Sequence, residues 1–290
     1  MTVNPAPSRT QLHGPSGGLA ALSAEPANPT GTLLLVPGYT GSKEDFTPIL
    51  EPLAALGYRT LAIDLPGQYE SPGPDDEAAY APLALGAVMA AVIGDLTADG
   101  PVVLLGHSYG GLVARGAVLA GAALGTPAVA GLILLCSGPA AFKSGQRLES
   151  LRVGEPIMRE HGKAVVYDST VAVERAQRKS VTAEIAALQR RRFLASNEAG
   201  LLGMGTALQT EPDRVDELAA ALNRTGTRIA VLAGEDDDAW PLSVQQEMAT
   251  RLETELVLIR NSAHSPAMEN PTGLVAELSA LLHRWLPKTA

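Results

Sequence analysis

Val102-Val-Leu-Leu-Gly-His-Ser-Tyr-Gly-Gly111 sets a run of β-branched and leucine residues directly before Gly106-x-Ser108-x-Gly110, and an amphipathic stretch to Leu124 follows. A buried strand, a sharp turn and a helix in that order are the expected local structure. Strand and helix cross closely at such a turn, so almost no side chain fits two residues before or after its apex. Gly106 and Gly110 meet that need. Ser108 is then held in a strained conformation, its hydroxyl projecting from the carboxyl end of a sheet. Gly-Ser-Gly patterns also occur in plain loops; the flanking strand and helix are what separate this one from them.

Outward from that turn, short apolar runs recur at Thr32–Val36, Thr60–Ile63, Leu132–Leu135, Ile229–Leu232 and Leu256–Ile259. Between them lie the amphipathic stretches Phe46–Leu56, Ala84–Ile93, Pro241–Leu252 and Thr272–Leu286. Strands alternating with helices predict an α/β fold, a mostly parallel sheet covered by helices on both faces. Gly14-Pro-Ser-Gly-Gly18 is a turn signal that predicts a leading hairpin between Thr10 and Ser23, within an N-terminal arm over residues 1–29. The alternation breaks once, between Cys136 and Arg228. Val181, Ile185 and Leu188 recur there at helical spacing, as do Val215, Leu218 and Leu222. A segment of that size is too long for a simple loop. The expected organisation is a core over 30–141 and 223–290, interrupted by an inserted helical cap over 142–222.

Composition narrows the function classes. With 46% hydrophobic and 18% charged residues among 290, the chain has material for a large core. A net charge of −9 removes the broad attraction to phosphate on which nucleic-acid and anionic-membrane binders rely. No basic start with a long apolar stretch marks a secretory signal, and no apolar run approaches membrane-spanning length, so a cytoplasmic location is expected. The single cysteine, Cys136, cannot form an internal disulfide or a multi-cysteine metal site and reads as a buried thiol.

A serine hydroxyl is a weak nucleophile without a base, so the reading requires a histidine on the same sheet edge. His13 precedes the main sheet, His161 falls in the cap, His283 sits in the last helix, and His107, adjacent to the serine, is expected to point elsewhere. His264 remains, in the small-residue loop Asn261-Ser-Ala-His-Ser-Pro266 after the final strand. The acid that would orient it comes from Ala233-Gly-Glu-Asp-Asp-Asp-Ala-Trp-Pro241, where spacing from Gly234 and Pro241 favours Asp237, then Asp236, then Asp238. Acyl transfer also needs donors for a developing oxyanion. The backbone N–H groups of Tyr109, after the serine, and of Tyr39, in Val36-Pro-Gly-Tyr-Thr-Gly-Ser42, are the candidates. Asp64 reads as a structural residue at a strand end.

In its chain order of serine, acid and histidine, and in the turn Gly106-His-Ser-Tyr-Gly110, the sequence resembles the α/β-hydrolase superfamily over residues 30–141 and 223–290. Pro37-Gly-Tyr-Thr-Gly-Ser42 is similar to the His-Gly-aromatic-Thr-Gly loop of the capped carboxylesterase, monoacylglycerol-lipase and carbon–carbon-bond hydrolase branch, with Pro37 in place of the customary His. Tyr69 stands where a second glycine usually follows Gly67. The resemblance implies hydrolysis of an ester or thioester of a small hydrophobic molecule through an acyl-Ser108 intermediate, without a cofactor or metal. Carbon–carbon cleavage of a diketone-like substrate and a ligand-binding protein that keeps the triad are the alternatives. Aspartate-nucleophile relatives such as epoxide hydrolases and haloalkane dehalogenases are disfavoured by Ser108.

The cap is charged differently from the core. Residues 142–222 hold 12 of the 22 Lys and Arg against 11 of the 31 Asp and Glu, so the cap is near +1 and the rest near −10. Arg190-Arg-Arg192 reads as a solvated helix face. Met158, Phe193, Leu194, Leu201, Leu202 and Met204 are expected to pack the cap onto the core or to line a pocket beneath it.

Overall fold

The computed structural model describes residues 7–15, 17–125, 129–176 and 182–286, without the side chains of 172–176. Val181, residues 1–6 of the expected arm and Ser16 of its turn lie outside the described residues. The strands are β1 (Ser8–Gly14), β2 (Gly17–Ala24), β3 (Thr32–Val36), β4 (Arg59–Ile63), β5 (Val102–His107), β6 (Gly131–Leu135), β7 (Arg228–Gly234) and β8 (Leu256–Ile259). They form one sheet in the order β1-β2-β4-β3-β5-β6-β7-β8. β2 pairs antiparallel with β1 and with β4, and the remaining neighbours are parallel. The leading hairpin therefore extends one edge of the main sheet.

The helices are α1 (Thr47–Ala55), α2 (Pro82–Leu96), α3 (Tyr109–Leu124), α4 (Gln146–His161), α5 (Lys163–Ala176), α6 (Ala183–Ala195), α7 (Glu198–Thr210), α8 (Val215–Thr225), α9 (Leu242–Arg251), α10 (Pro266–Glu269) and α11 (Pro271–Trp285). Successive strand residues face opposite sides. Leu34, Leu104, Leu132 and Leu134 join one core with α2, α3, α8 and α9. Leu33, Leu35, Val103, Leu105 and Ile133 join another with α1 and α11. Both faces are thus covered, which explains why these strands read as continuous apolar runs rather than alternating ones.

One run departs from the expectation that no apolar run approaches membrane-spanning length. Pro82–Asp99 has a mean hydropathy of 1.4 over 18 residues and is long and apolar enough, by length and composition alone, to cross a membrane. Its leucines, valines, isoleucine and methionine are interspersed with alanines and glycines rather than gathered into one block. In the fold α2 packs against α3 and β1 and buries Leu85, Met89, Val92 and Ile93 in the core.

The helical insert is α4–α8, between β6 and β7. Its entry and exit are tied to the core. Phe142 N–H donates to the Leu208 carbonyl and Ala141 N–H to that of Glu211, each at 2.9 Å, while buried Arg115 of α3 pairs with Glu211 at 2.6 Å. α8 packs on α3 and α9 and buries Val215, Leu218, Ala221 and Leu222 within the core. Met158, Phe193, Leu201 and Leu202 form a cluster of their own, with Tyr39, Tyr167 and Leu194 against it. Met204 joins the main core. Arg190-Arg-Arg192 is not a uniformly solvated face: Arg192 pairs with Asp45, and Arg191 Nε donates to the Tyr69 hydroxyl at 3.0 Å. These bonds clasp α6 to the core loops beneath it.

Candidate active site

Strand order reverses between β3 and β5, the position in an open α/β sheet where a crevice forms at the carboxyl ends. The register Val36↔Gly106 brings the loops after these strands side by side. A Cβ added at Gly106 would lie 2.2 Å from the Gly110 carbonyl oxygen, and one at Gly110 would lie 2.4 Å from that of Val36. Only glycine permits either approach. The chain turns at Ser108 with φ 56° and ψ −122°, outside the common regions for an L-residue. That strain is held by three hydrogen bonds. Ser108 N–H donates to the Leu135 carbonyl at 2.9 Å, and the Ser108 carbonyl accepts from Gly111 N–H at 2.9 Å and from Ser137 Oγ at 2.8 Å.

The Ser108 hydroxyl lies 2.9 Å from His264 Nε2, and His264 Nδ1 lies 2.7 Å from Asp237 Oδ1. All three residues are buried, at 6%, 9% and 9% exposure for Ser108, Asp237 and His264. Of the three neighbouring acids only Asp237 turns inward. Asp236 is exposed, and Asp238 pairs with Arg147 of α4 at 2.6 Å near the surface. Ala239 N–H donates to Asp237 Oδ1 at 3.0 Å and Gln245 Nε2 to Oδ2 at 2.8 Å. Burial alone would push the Asp237 carboxyl upward. The bond and charge of His264, with these two donors, outweigh it and hold the group below the ordinary carboxylate value.

Side chains that pattern reading did not select complete the surroundings. His107 Nε2 donates to the His264 carbonyl at 2.6 Å, and the two rings lie 5.0 Å apart. Since a carbonyl only accepts, His107 carries its proton on Nε2. Burial and the adjacent His264 push its pKa down to about 4. Its bond goes to the backbone of His264 and braces the histidine loop. Glu269 Oε2 accepts from Ala263 N–H at 2.6 Å and Ser265 N–H at 3.2 Å, fixing the same loop from the other side. Asp64 bonds Lys43 through its backbone N–H and its ammonium, each at 2.8 Å, which ties the loop after β3 to the end of β4. The partners of His107 and Asp64 are far apart in sequence, and none of these contacts carries a motif. Only the tyrosine-for-glycine departure at Tyr69, whose φ is 40°, hinted that the loop after β4 is specially held.

Tyr109 opens α3, where a helix leaves its first N–H groups without an intrahelical partner. Gly38 packs against Ser108: a Cβ added there would lie 2.9 Å from Ser108 Cβ and 3.4 Å from its Oγ. The Tyr39 peptide is therefore beside the hydroxyl. Among the described residues, two sets of metal-donor atoms lie within 4.8 Å of one another, His107, Cys136 and His264, and Asp237, Asp238 and His264. Both draw on His264, whose two ring nitrogens are committed to Ser108 and Asp237, so a metal at either would break that chain. The Cys136 thiol is held protonated by burial. The connected groups can move a proton from Ser108 to His264 and stabilise the resulting imidazolium.

Solved structures share this architecture. They include a thermophilic esterase from Thermogutta terrifontis with malate bound, at TM-score 0.72 and 23% identity over 96% of this chain and 99% of that one. An N-acyl homoserine lactonase, AidH, aligns at TM-score 0.71 and 19% identity, covering 96% and 98%. MenH from S. aureus aligns at TM-score 0.71 and 19% identity, covering 91% and 98%. At these identities the likeness speaks for the fold. In sequence, the chain is 30% identical over 189 residues to the 2-succinyl-6-hydroxy-2,4-cyclohexadiene-1-carboxylate synthases of Salmonella arizonae and Salmonella heidelberg, covering 62% of this chain and 67% of each. Residues 33–278 match the model of the Alpha/beta hydrolase family, and the chain belongs to that family.

Proposed function

We propose that the protein is a serine hydrolase that cleaves a carboxylic ester or thioester of a small hydrophobic substrate through an acyl-Ser108 intermediate. The observation that carries this is the continuous chain from Ser108 Oγ through His264 to Asp237, with contacts of 2.9 and 2.7 Å. His264 Nε2 takes the Ser108 proton as Oγ bonds to the substrate carbonyl carbon. The carbonyl oxygen becomes anionic against the N–H groups of Tyr39 and Tyr109. Collapse breaks the bond to the leaving group, which receives the proton from His264. Water then attacks the acyl-serine with His264 as base again, releasing acid and free enzyme. Labelling of Ser108 by a fluorophosphonate together with turnover of a short p-nitrophenyl ester tests the reading; labelling without turnover of any ester or thioester would reject it.

A second reading, chemistry on a carboxylate-bearing substrate without net hydrolysis, is favoured by one observation, the 30% identity to synthases named for such a product. It predicts Ser108 labelling with no ester turnover.

The rate depends on pH through one histidine. An imidazolium cannot accept the serine proton, so kcat/KM falls as the solution is acidified. His107, with its pKa pushed down to about 4, stays neutral over most of this range and adds no second limb. Asp237, held below the ordinary carboxylate value, stays ionised. The acid limb of kcat/KM is expected to be single, with a slope of about one. A slope near two would implicate a second titrating group.

Substrate choice belongs to the cap. A Cβ added at Gly205 of α7 would lie 3.5 Å from both Leu151 Cδ2 of α4 and the Tyr39 hydroxyl, so these groups converge under the cap beside the Tyr39 loop. We expect Gly205→Val and Leu151→Ala to shift kcat/KM in opposite directions for long acyl chains, by roughly 1–3 kcal/mol per methylene-sized mismatch. Phosphonate labelling of Ser108 should change little, because it needs only the core. Equal changes for short and long esters would remove this role.

A further inference from the structure

The carbonyl of Gly38 and the N–H of Tyr39 belong to one peptide unit. In a trans peptide they point in opposite directions, and the described chain has no cis bond. Whatever holds the carbonyl therefore aims the N–H.

Two donors hold it. Gly41 N–H reaches the Gly38 carbonyl at 3.0 Å, closing a turn, and Gln68 Nε2 reaches it at 2.8 Å. Gln68 is 2% exposed, and its Oε1 accepts the Leu65 N–H at 3.0 Å. The amide orientation is thereby fixed: a flip would set oxygen against the Gly38 carbonyl and an NH2 against the Leu65 N–H. Met204 Sδ of α7 closes over the same Nε2 at 3.9 Å. Gln68 itself is held from both sides along the chain. Its N–H donates to the Leu65 carbonyl at 2.9 Å, and Tyr69 N–H donates to Ser196 Oγ at 3.0 Å.

The turn needs such a hold. Thr40 has φ 58°, an uncommon conformation for a β-branched residue, and Pro37 offers neither a backbone N–H nor a side-chain donor to steady the loop. The loop after β4 supplies the missing donor from a residue distant in sequence.

Resting on the serine-hydrolase reading above, we propose that Gln68 is a positioning residue, which fixes the Gly38–Tyr39 peptide so that the Tyr39 N–H meets the oxyanion formed on a carbonyl attached to Ser108. Gln68→Glu isolates the effect, because it keeps an oxygen for the Leu65 N–H and replaces only the donor to Gly38 with a repelling carboxylate oxygen. Gln68→Met, similar in size, removes both bonds.

The experiment compares the parent chain, Gln68→Glu and Gln68→Met near neutral pH. It measures kcat and KM for a short p-nitrophenyl ester, the inhibition constant of an aryl trifluoromethyl ketone, whose serine adduct carries the same oxyanion, and melting temperature. Loss of one oxyanion donor lowers kcat by about 10²-fold, and Gln68→Glu is expected to approach that with KM changed less than about threefold. Trifluoromethyl-ketone affinity should fall in the same proportion as kcat/KM. Should Gln68→Glu fail to fold, the same parallel loss in folded Gln68→Met supports the proposal. Folded variants with parental kcat overturn it and leave the serine-hydrolase reading intact. So does a fall in kcat with unchanged trifluoromethyl-ketone affinity. A parent chain that neither takes up fluorophosphonate nor turns over ester overturns both.

Discussion

Ser108→Ala is expected to lower kcat toward a short p-nitrophenyl ester by on the order of 10⁶-fold, with fluorophosphonate labelling abolished. The serine supplies the atom that bonds to the substrate, and no other hydroxyl is bonded to a ring nitrogen of His264 among the described residues. What survives is catalysis by binding and the oxyanion donors alone. Folding should be retained. The strained φ of 56° at this position is held by backbone bonds to Leu135 and Gly111 and by Ser137, none of which uses the Ser108 hydroxyl. Melting temperature and circular dichroism check that half of the statement, steady-state kinetics and mass spectrometry of the phosphonate adduct the other. Labelling that persists in the alanine variant would move the nucleophile elsewhere.

Asp237→Asn should lower kcat by about 10⁴-fold with little change in KM. The carboxylate holds the His264 tautomer that presents a free Nε2 to Ser108, and its charge stabilises the imidazolium formed during attack. An amide there can turn its NH2 toward Nδ1 and favour the wrong tautomer. Asp236→Asn and Asp238→Asn provide the contrast. Asp236 is exposed and outside the chain of contacts. Asp238 loses an ion pair to Arg147 whose side chains are 55% and 39% exposed, a screened interaction worth about 0–1 kcal/mol. Both changes should leave kcat within about fivefold of the parent. Comparable large losses at all three positions would show that the net charge of the loop matters, rather than one bond to His264. Stability carries a second signature. Because the folded pKa of Asp237 is depressed, its contribution is present above the ordinary carboxylate value and is lost as pH falls through the folded value. The asparagine variant should lack that share of acid sensitivity.

The elements that carry these residues were legible because their signals are local. A strand buried on both faces is a short run of apolar residues, and β3 to β7 were marked that way, while the edge strand β8 carries a similar run with Leu258 exposed. Gly106 and Gly110 announce a crossing so tight that a single Cβ would collide with backbone, which a spacing of two on either side of a serine records directly. Spacing after β7 likewise ranked Asp237 first among its neighbours, and His264 was left by elimination in the loop after β8, since a loop leaving the carboxyl edge of a parallel sheet has few positions from which it can reach back over that edge.

What the sequence by itself determined is thus the α/β order, the inserted helices, Ser108, His264 and the acidic cluster 236–238 from which the third member comes. Only the tertiary structure decided which of Asp236, Asp237 and Asp238 turns inward, because that depends on Gln245 and His264 arriving from other elements. It also decided that His107 braces the His264 loop, that Arg192 clasps the core through Asp45, and that Gln68 holds the Gly38 carbonyl. The physical reason is the same for all of them. A side-chain hydrogen bond is satisfied by whichever partner lies within about 3 Å in the assembled fold, and these partners stand at separations along the chain that no periodicity encodes.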